Sequence, residues 1–210
     1  MGAWLETLGT GGPILLVLAA LSILSLSVIV IKAIELATVL RGEEHRQQAL
    51  SLWKQGRSGE AQKLIGEDNP ADRVLGFAMK GLSGQLRPAL LQSEIERRGN
   101  AELSALSHRI RLLEVIAMVS PLLGLLGTVL GMIQSFQELE LAQGAANASI
   151  LAGGIWQALL TTAAGLLVAI PAAVAAGLFS SRIDRAAQAI ETAVGRLMLA
   201  DEVARSPGET

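Results

Sequence analysis

Residues 141–181 form a run of 41 positions without a single Asp, Glu, Lys or Arg. A helix needs ~20 apolar residues to cross the hydrocarbon core of a bilayer. A charge-free run of this length therefore marks membrane-spanning sequence. Composition agrees: 51% of the 210 residues are hydrophobic, only 17% are charged, and the mean hydropathy is +0.47. Typical globular domains carry about 25% charged residues. The formal charge of -2 argues against a generally basic nucleic-acid binder. Three Trp, three Phe and no Tyr are too few for a base-stacking platform. The absence of Cys removes disulfide scaffolds, thiolate metal sites and Cys nucleophiles.

Three apolar runs stand out: 14–34, 112–136 and 150–181. An open sheet would leave unpaired N–H and C=O groups in lipid, so each run is expected as a transmembrane helix. A cleaved signal peptide is the competing reading of the first run. Glu6, the lack of any Lys or Arg before it, and its length beyond a usual ~7–15-residue signal core favour a retained helix. Between the runs lie a short N-terminus (1–13), a polar segment (35–111), a loop (137–149) and a C-terminal helix and tail (182–210).

Lys and Arg orient these segments. Residues 1–13 and 137–149 have none, 32–111 hold thirteen, and the tail from Arg182 holds four. The positive-inside rule then puts the N-terminus and the 137–149 loop outside, and the polar segment and C-terminus in the cytoplasm. Trp4 and Trp156 fall near the outer interface, where amphipathic aromatics collect; Trp4 equally fits a chance surface aromatic. Lys32, Glu35 and Glu114 lie near span ends and are expected to reach the inner interface.

The polar segment reads as helical. Glu43–Gln55 forms an amphipathic stretch with Leu50, Leu52 and Trp53. Asn69 is placed to cap, and Pro70 to open, a helix over Ala71–Leu82. Ser83, Gly84 and Pro88 mark breaks. From Ser93 onward apolar residues recur at helical spacing and are expected to run directly into the second span. In the tail, Ile183, Ala187, Ile190, Val194 and Leu197 alternate at four and three, a coiled-coil-like seam. The third span is thus expected to continue as one helix into the cytoplasm, with SPGET frayed at the end.

No catalytic constellation is visible. His45 and His108 lack companion ligands and read as surface residues. Glu94 and Glu96 point to different helix faces. There is no phosphate loop and no nucleophile elbow. The sequence suggests no enzyme, metal or cofactor.

The second and third spans are rich in small residues. Gly124, Gly127 and Gly131 lie on one, the last two as GxxxG. On the other, Gly154, Ala158, Thr162, Gly165, Ala169 and Ala173 follow at three or four. Small residues let helix backbones approach where packing drives association. Two such helices point to a homo-oligomer, with packing inside one chain as the alternative. Polar residues at depth are Ser120, Thr128, Gln157, Thr161 and Thr162. Gln157 and Thr161 share a face; Thr162 is turned about 100° away, onto the small-residue stripe. Each hydroxyl can bond water, a neighbour or its own backbone. Pro121 and Pro171 interrupt the two spans and can kink them.

The segments SPLLGLLGTVLGMIQSF and GGIWQALLTTAAGLLVAIPAAVAAGLF resemble the MotA/TolQ/ExbB proton-channel family. Their order and the three-span topology match a three-span ExbB/TolQ-like member across almost the whole chain. The resemblance implies an all-α inner-membrane protein, oligomeric and typically pentameric, around a central pore. It implies an ExbD- or TolR-like partner dimer in that pore with an essential membrane Asp, and a TonB-like protein or the Tol-Pal system beyond it. Thr128 and Thr162 match the family's pore-facing polar positions, with Gln157 and Thr161 beside them; Pro121 and Pro171 match its prolines. Where some relatives have Glu, this chain has Gln157, which cannot titrate. The resemblance favours an ExbB-like subunit over a TolQ-like one. The different class is a passive oligomeric scaffold.

Overall fold

In the computed structural model, residues 12–141 and 148–205 are described. They form seven helices: α1 (Gly12–Leu36), α2 (Glu43–Lys54), α3 (Ser58–Leu64), α4 (Pro70–Ser83), α5 (Pro88–Ser107), α6 (Ile110–Leu141) and α7 (Ala148–Arg205). Among the described residues there is no strand. Three helical stretches are long and apolar enough to cross a membrane. Helix α1 alone spans roughly 37 Å at 1.5 Å per residue, more than the ~30 Å hydrocarbon core. The chain is an all-helical multi-pass membrane protein. Trp4, residues 142–147 and the closing SPGET lie outside the described residues.

The chain divides into two compact units, residues 12–31 with 109–177, and residues 32–108 with 178–205. In the apolar unit, Ile14 and Leu18 of α1 pack with Ile116 of α6 and with Val168 and Ala172 of α7. Its other large side chains face outward: Leu122, Leu125 and Ile133 on α6, and Leu167 and Ile170 on α7, are all at least half exposed. Outward leucines and isoleucines suit lipid as the surrounding solvent. Hydroxyls on α1 stay within the helix: Ser25 Oγ donates to Ser22 O and Ser27 Oγ to Ile23 O. Carbonyls four or three residues back are the natural acceptors where water is absent.

The polar unit has a conventional core. Ala49, Leu50 and Trp53 of α2, Val74, Leu75, Ala78 and Met79 of α4, Leu91 and Ile95 of α5, and Ile190, Ala193 and Leu197 of α7 bury together. Trp53 Nε1 donates to Asp201 across 3.4 Å, which gives the indole N–H a partner. Asn69 caps α4 by accepting from the Asp72 backbone N–H, and Pro70 opens the helix. The break expected at Ser83, Gly84 and Pro88 is there: α4 ends at Ser83, and Pro88 is the first residue of α5, where its missing N–H costs no helical bond. The helix expected to run unbroken into the second span is interrupted at residues 108–109. There Lys32, only 1% exposed, donates from Nζ to Leu106 O at 2.7 Å and pairs with Glu35 at 3.0 Å. A buried ammonium thus satisfies one of the carbonyls that the last turn of α5 leaves over. Lys32 thus finds its partners within the chain.

The tail seam also shifts by one residue. Ile183, Ala186, Ile190, Ala193, Leu197 and Ala200 are buried at spacings of three and four, while Ala187 and Val194 are only half-buried. Both lines fit a 3.5-residue repeat. The smaller alanines take the close contact, and Val194 turns to the flank.

One buried polar cluster joins α2 to α4. Arg46 Nη1 bonds Asp72 Oδ1 at 2.9 Å, Asn69 Oδ1 at 3.2 Å and Arg41 O at 2.9 Å. Asn69 Nδ2 donates to Asp72 Oδ2 at 2.6 Å. Gly42 makes room for it: a Cβ there would sit 3.1 Å from both Asn69 Nδ2 and Asp72 Oδ2, and its φ of 85° favours glycine. Removing one member of a buried ion pair strands the other and costs about 3–5 kcal/mol. Asp72→Ala should therefore lower the melting temperature of the full chain in micelles sharply. The double replacement Arg46→Met/Asp72→Leu should recover most of that loss.

Exposed pairs add a pH dependence. Hydrogen bonds from Arg73 hold the Glu102 carboxyl below its usual range, against the opposing effect of partial burial. Arg97 and then Arg98 pull Glu94 down to about 2. A carboxylate with a lowered folded pKa contributes stability above its unfolded value of about 4.3, and loses it as pH falls through the folded pKa. Melting temperature should fall between about pH 5 and pH 3, and Arg73→Gln should flatten part of that slope, by about 0.5 kcal/mol for so exposed a pair.

Candidate functional site

The α6–α7 contact is built from residues with little or no side chain. On α6 the line runs Ser120, Gly124, Gly127, Gly131 and Ser135; on α7 it runs Gly154, Ala158, Thr161 and Gly165. A Cβ on Gly124 would lie 2.8 Å from Thr161 O and 2.9 Å from Thr162 Cα. One on Gly165 would lie 2.5 Å from Ser120 O and 3.2 Å from Gly124 Cα. On Gly131 it would be 3.2 Å from the Ala158 Cβ. Cβ atoms on Gly127 and Gly154 would run into the side chains of Thr161 and Ser135. Five glycines therefore set the approach of two backbones, the geometry that small residues permit in lipid.

That approach decides where the hydroxyls go. Thr161 is fully buried, and its Oγ1 lies 2.7 Å from Ala158 O and 3.1 Å from Gly124 O. Thr162, half-buried, donates to the same Gly124 carbonyl at 3.2 Å. Gly124 O is thus a shared acceptor reached from the neighbouring helix by two adjacent threonines. Thr128 donates to Leu125 O on its own helix at 2.7 Å and is half-buried. Gln157 is half-buried, and no partner for its amide appears among the described residues. Pro121 is half-buried and Pro171 exposed, each inside a helix that continues past it.

The small-residue line expected on α7 holds at Gly154, Ala158, Gly165 and the buried Ala169; it departs at Thr162, where Thr161 is the buried residue, and at Ala173, which is exposed while Ala172 is fully buried. A knob must enter between Gly124 and Gly127, and Thr161 points there, while Thr162 stands at the edge. Gly124, Gly127, Gly131, Gly154, Ala158 and Gly165 do come together in this contact. Ser120 and Ser135 extend it. The serines continue the α6 spacing of three and four, and that spacing was the available signal. Ser120 Oγ is completely buried and has no hydrogen-bond partner among the described residues.

No group in the contact titrates near neutrality. Residues 115–137 and 141–181 contain no carboxylate, and among the described residues no cluster of His, Asp and Glu could hold a metal. The contact can offer carbonyls, hydroxyls and an amide to water or to a third helix. It cannot itself pick up a proton.

The sequence pattern of the MotA/TolQ/ExbB proton channel family matches residues 66–192, more than half of the chain. The chain belongs to the MotA/TolQ/ExbB proton channel family. A Synechocystis protein named putative biopolymer transport protein ExbB-like 3 is 33% identical over 194 residues, 90% of each chain. Biopolymer transport protein exbB1 of Vibrio cholerae is 48% identical over 82 residues, which cover 39% of this chain and 36% of that one. The Tol-Pal system protein TolQ of Haemophilus influenzae is 41% identical over 85 residues, 40% of this chain and 37% of its own. This chain thus spans about a third of the Vibrio and Haemophilus proteins and nearly all of the Synechocystis one. The family match runs from α4 into α7 as far as residue 192, and covers the whole α6–α7 contact. The family's description names a channel rather than an enzyme.

Glycines at this contact and glycines facing open space should respond in opposite ways. Gly165→Val forces Ser120 O aside, and overpacking of this kind costs about 1–3 kcal/mol. Gly177, whose Cβ would meet nothing within 4 Å, should accept Ala with unchanged or raised stability. Thermal melting of both variants in the same detergent checks this.

Proposed function

We propose that this chain is the stator-like wall of an inner-membrane motor driven by the proton motive force. Several copies, five by family resemblance, surround a conduit lined by α6 and α7. The N-terminus and the 137–149 loop face the periplasm, and the polar segment and C-terminus face the cytoplasm, following the distribution of Lys and Arg. A partner dimer of the ExbD or TolR kind sits in the conduit and supplies the titrating Asp. The work energised is TonB-dependent transport across the outer membrane, in the manner of ExbB.

One observation carries this reading. The α6–α7 contact is polar at membrane depth yet has no acid, and proton relays in membranes run through protonatable side chains. Gln157 stands where a Glu would titrate. The missing acid therefore comes from another chain. Thr128, Thr162 and Gln157 order water and hydrogen-bond that acid; Thr161, fully buried, positions the wall by packing. Pro121 and Pro171 shape the two helices where the partner passes. A TolQ-like role in the Tol-Pal system is the second reading, supported by the TolQ relative.

Reconstitution separates these readings from a passive scaffold. Liposomes holding the chain and its co-expressed partner should take up protons under a potential, and liposomes holding the chain alone should not. A scaffold gives no flux in either case. The double variant Thr128→Val/Thr162→Val should assemble normally and lose coupled flux by about tenfold or more, equivalent to about 1.4 kcal/mol of lost stabilisation. Full flux in that variant removes the two hydroxyls from the pathway.

A further inference from the structure

Pro121 lies inside α6, which continues past it. Proline has no N–H, so the carbonyl of Ala117, one turn earlier, lacks the donor that any other residue at 121 would supply. The ring also crowds that carbonyl and opens the ladder of helical bonds. In lipid, a carbonyl freed in this way is met by a neighbouring helix, by a Ser or Thr side chain, or by an ordered water. Ser120 is the hydroxyl placed to meet it, since Ser commonly donates to a carbonyl three or four residues back. It does not do so. Ser120 Oγ is completely buried and has no hydrogen-bond partner among the described residues.

Hydroxyls elsewhere on the membrane helices do find a carbonyl. Ser25 donates to Ser22 O, Thr128 to Leu125 O, Ser135 to Gly131 O, and Thr161 and Thr162 both reach Gly124 O. The setting of Ser120 explains why nothing else serves it. Ala117 packs against Ile14, Leu18, Ile116, Val168 and Ala172, none of which carries a side-chain donor. On the α7 side the closest approach is by Gly165, which has no side chain, and whose Cβ would lie 2.5 Å from Ser120 O. Pro171 on α7 makes the contrast. It is exposed, and Ile170 precedes it, so no hydroxyl stands beside the carbonyl of Leu167 that it frees. At Pro121 two polar groups one turn apart share the same need, and leaving either bare costs its full desolvation.

We propose that the Ser120 hydroxyl and the Ala117 carbonyl together hold one buried water in the proline-opened turn of α6. Water is the ligand of matching chemistry. It donates to the carbonyl, which can only accept, and it exchanges a bond with the hydroxyl, which can donate or accept. Two polar partners are enough to hold a buried water. A metal cation fits less well, because residues 115–137 contain no carboxylate to balance its charge. The water stands in for the N–H that Pro121 lacks, and so lets α6 carry a proline at membrane depth without a bare carbonyl. Ser120 is fully buried within the chain, so this water is separate from those ordered by Thr128, Thr162 and Gln157. The site needs no second polypeptide and does not depend on the proposed function.

The test is water-edited solid-state NMR on the full chain in lipid bilayers, which reads the magnetisation that water passes to individual carbons. Ser120 Cβ and the Ala117 carbonyl carbon should gain it several-fold faster than Ser25 Cβ, whose hydroxyl is buried but already bonded to its own helix. Ser120→Ala should bring the Ala117 carbonyl down to the Ser25 level. Pro121→Ala, which returns an N–H to that carbonyl, should do the same at Ser120 Cβ. Transfer at Ser120 no faster than at Ser25 overturns the proposal, and so does a gain that survives in either variant. If a variant fails to fold, the comparison of Ser120 with Ser25 in the unaltered chain still decides. Thermal melting gives an independent reading. With the water in place, Ser120→Ala strands the Ala117 carbonyl and should lower the melting temperature by about 2–4 °C. With a bare hydroxyl, the same change removes an unsatisfied group, so an unchanged or raised melting temperature overturns the proposal.

Discussion

The contact between α6 and α7 depends on the absence of side chains. In lipid there is no hydrophobic gain from pressing two apolar helices together, so association has to come from close packing and from polar groups that meet. Gly124 and Gly165 let backbone face backbone, with the would-be Cβ of Gly165 only 3.2 Å from the Gly124 Cα. At that distance a hydroxyl on one helix reaches a carbonyl on the other, as Thr161 and Thr162 both do at Gly124 O. The polar character of the wall follows from this spacing. The same spacing explains why the wall is chemically mild. A glycine-lined contact has room for a hydroxyl but none for a carboxylate and the partners that would keep it ionised.

The polar unit is held in a different way. Its core is ordinary aliphatic packing around Trp53, Leu75 and Met79. Its polar links are satisfied inside one unit: Arg46 with Asp72 and Asn69, and Lys32 with the Leu106 carbonyl. Such groups stabilise only when every partner is present, so they specify one arrangement of the short helices.

The helices themselves were legible because each carries a local reason. The three apolar runs are long enough for membrane helices and lack the alternation of barrel strands, the other backbone that lipid tolerates. Asn69 before Pro70 announces a helix start through its own cap. The family motif, too, is a matter of residue order. Pro88 marks a break by its missing N–H, and it opens the helix that follows. On α7 the sequence cannot choose between Thr161 and Thr162, because both are Thr and adjacent positions differ only in which face meets α6.

By itself, the sequence determined the number of membrane-crossing helices, their small-residue character, the lack of an acid at depth and the family. These depend on residue type and period alone. Only the tertiary structure decided that Thr161, and not Thr162, enters between Gly124 and Gly127. The same holds for Lys32, which turns inward to a carbonyl 74 residues away. Each of these is a long-range pairing, fixed by which helix faces which, and helical periodicity says where a side chain points but not what it meets.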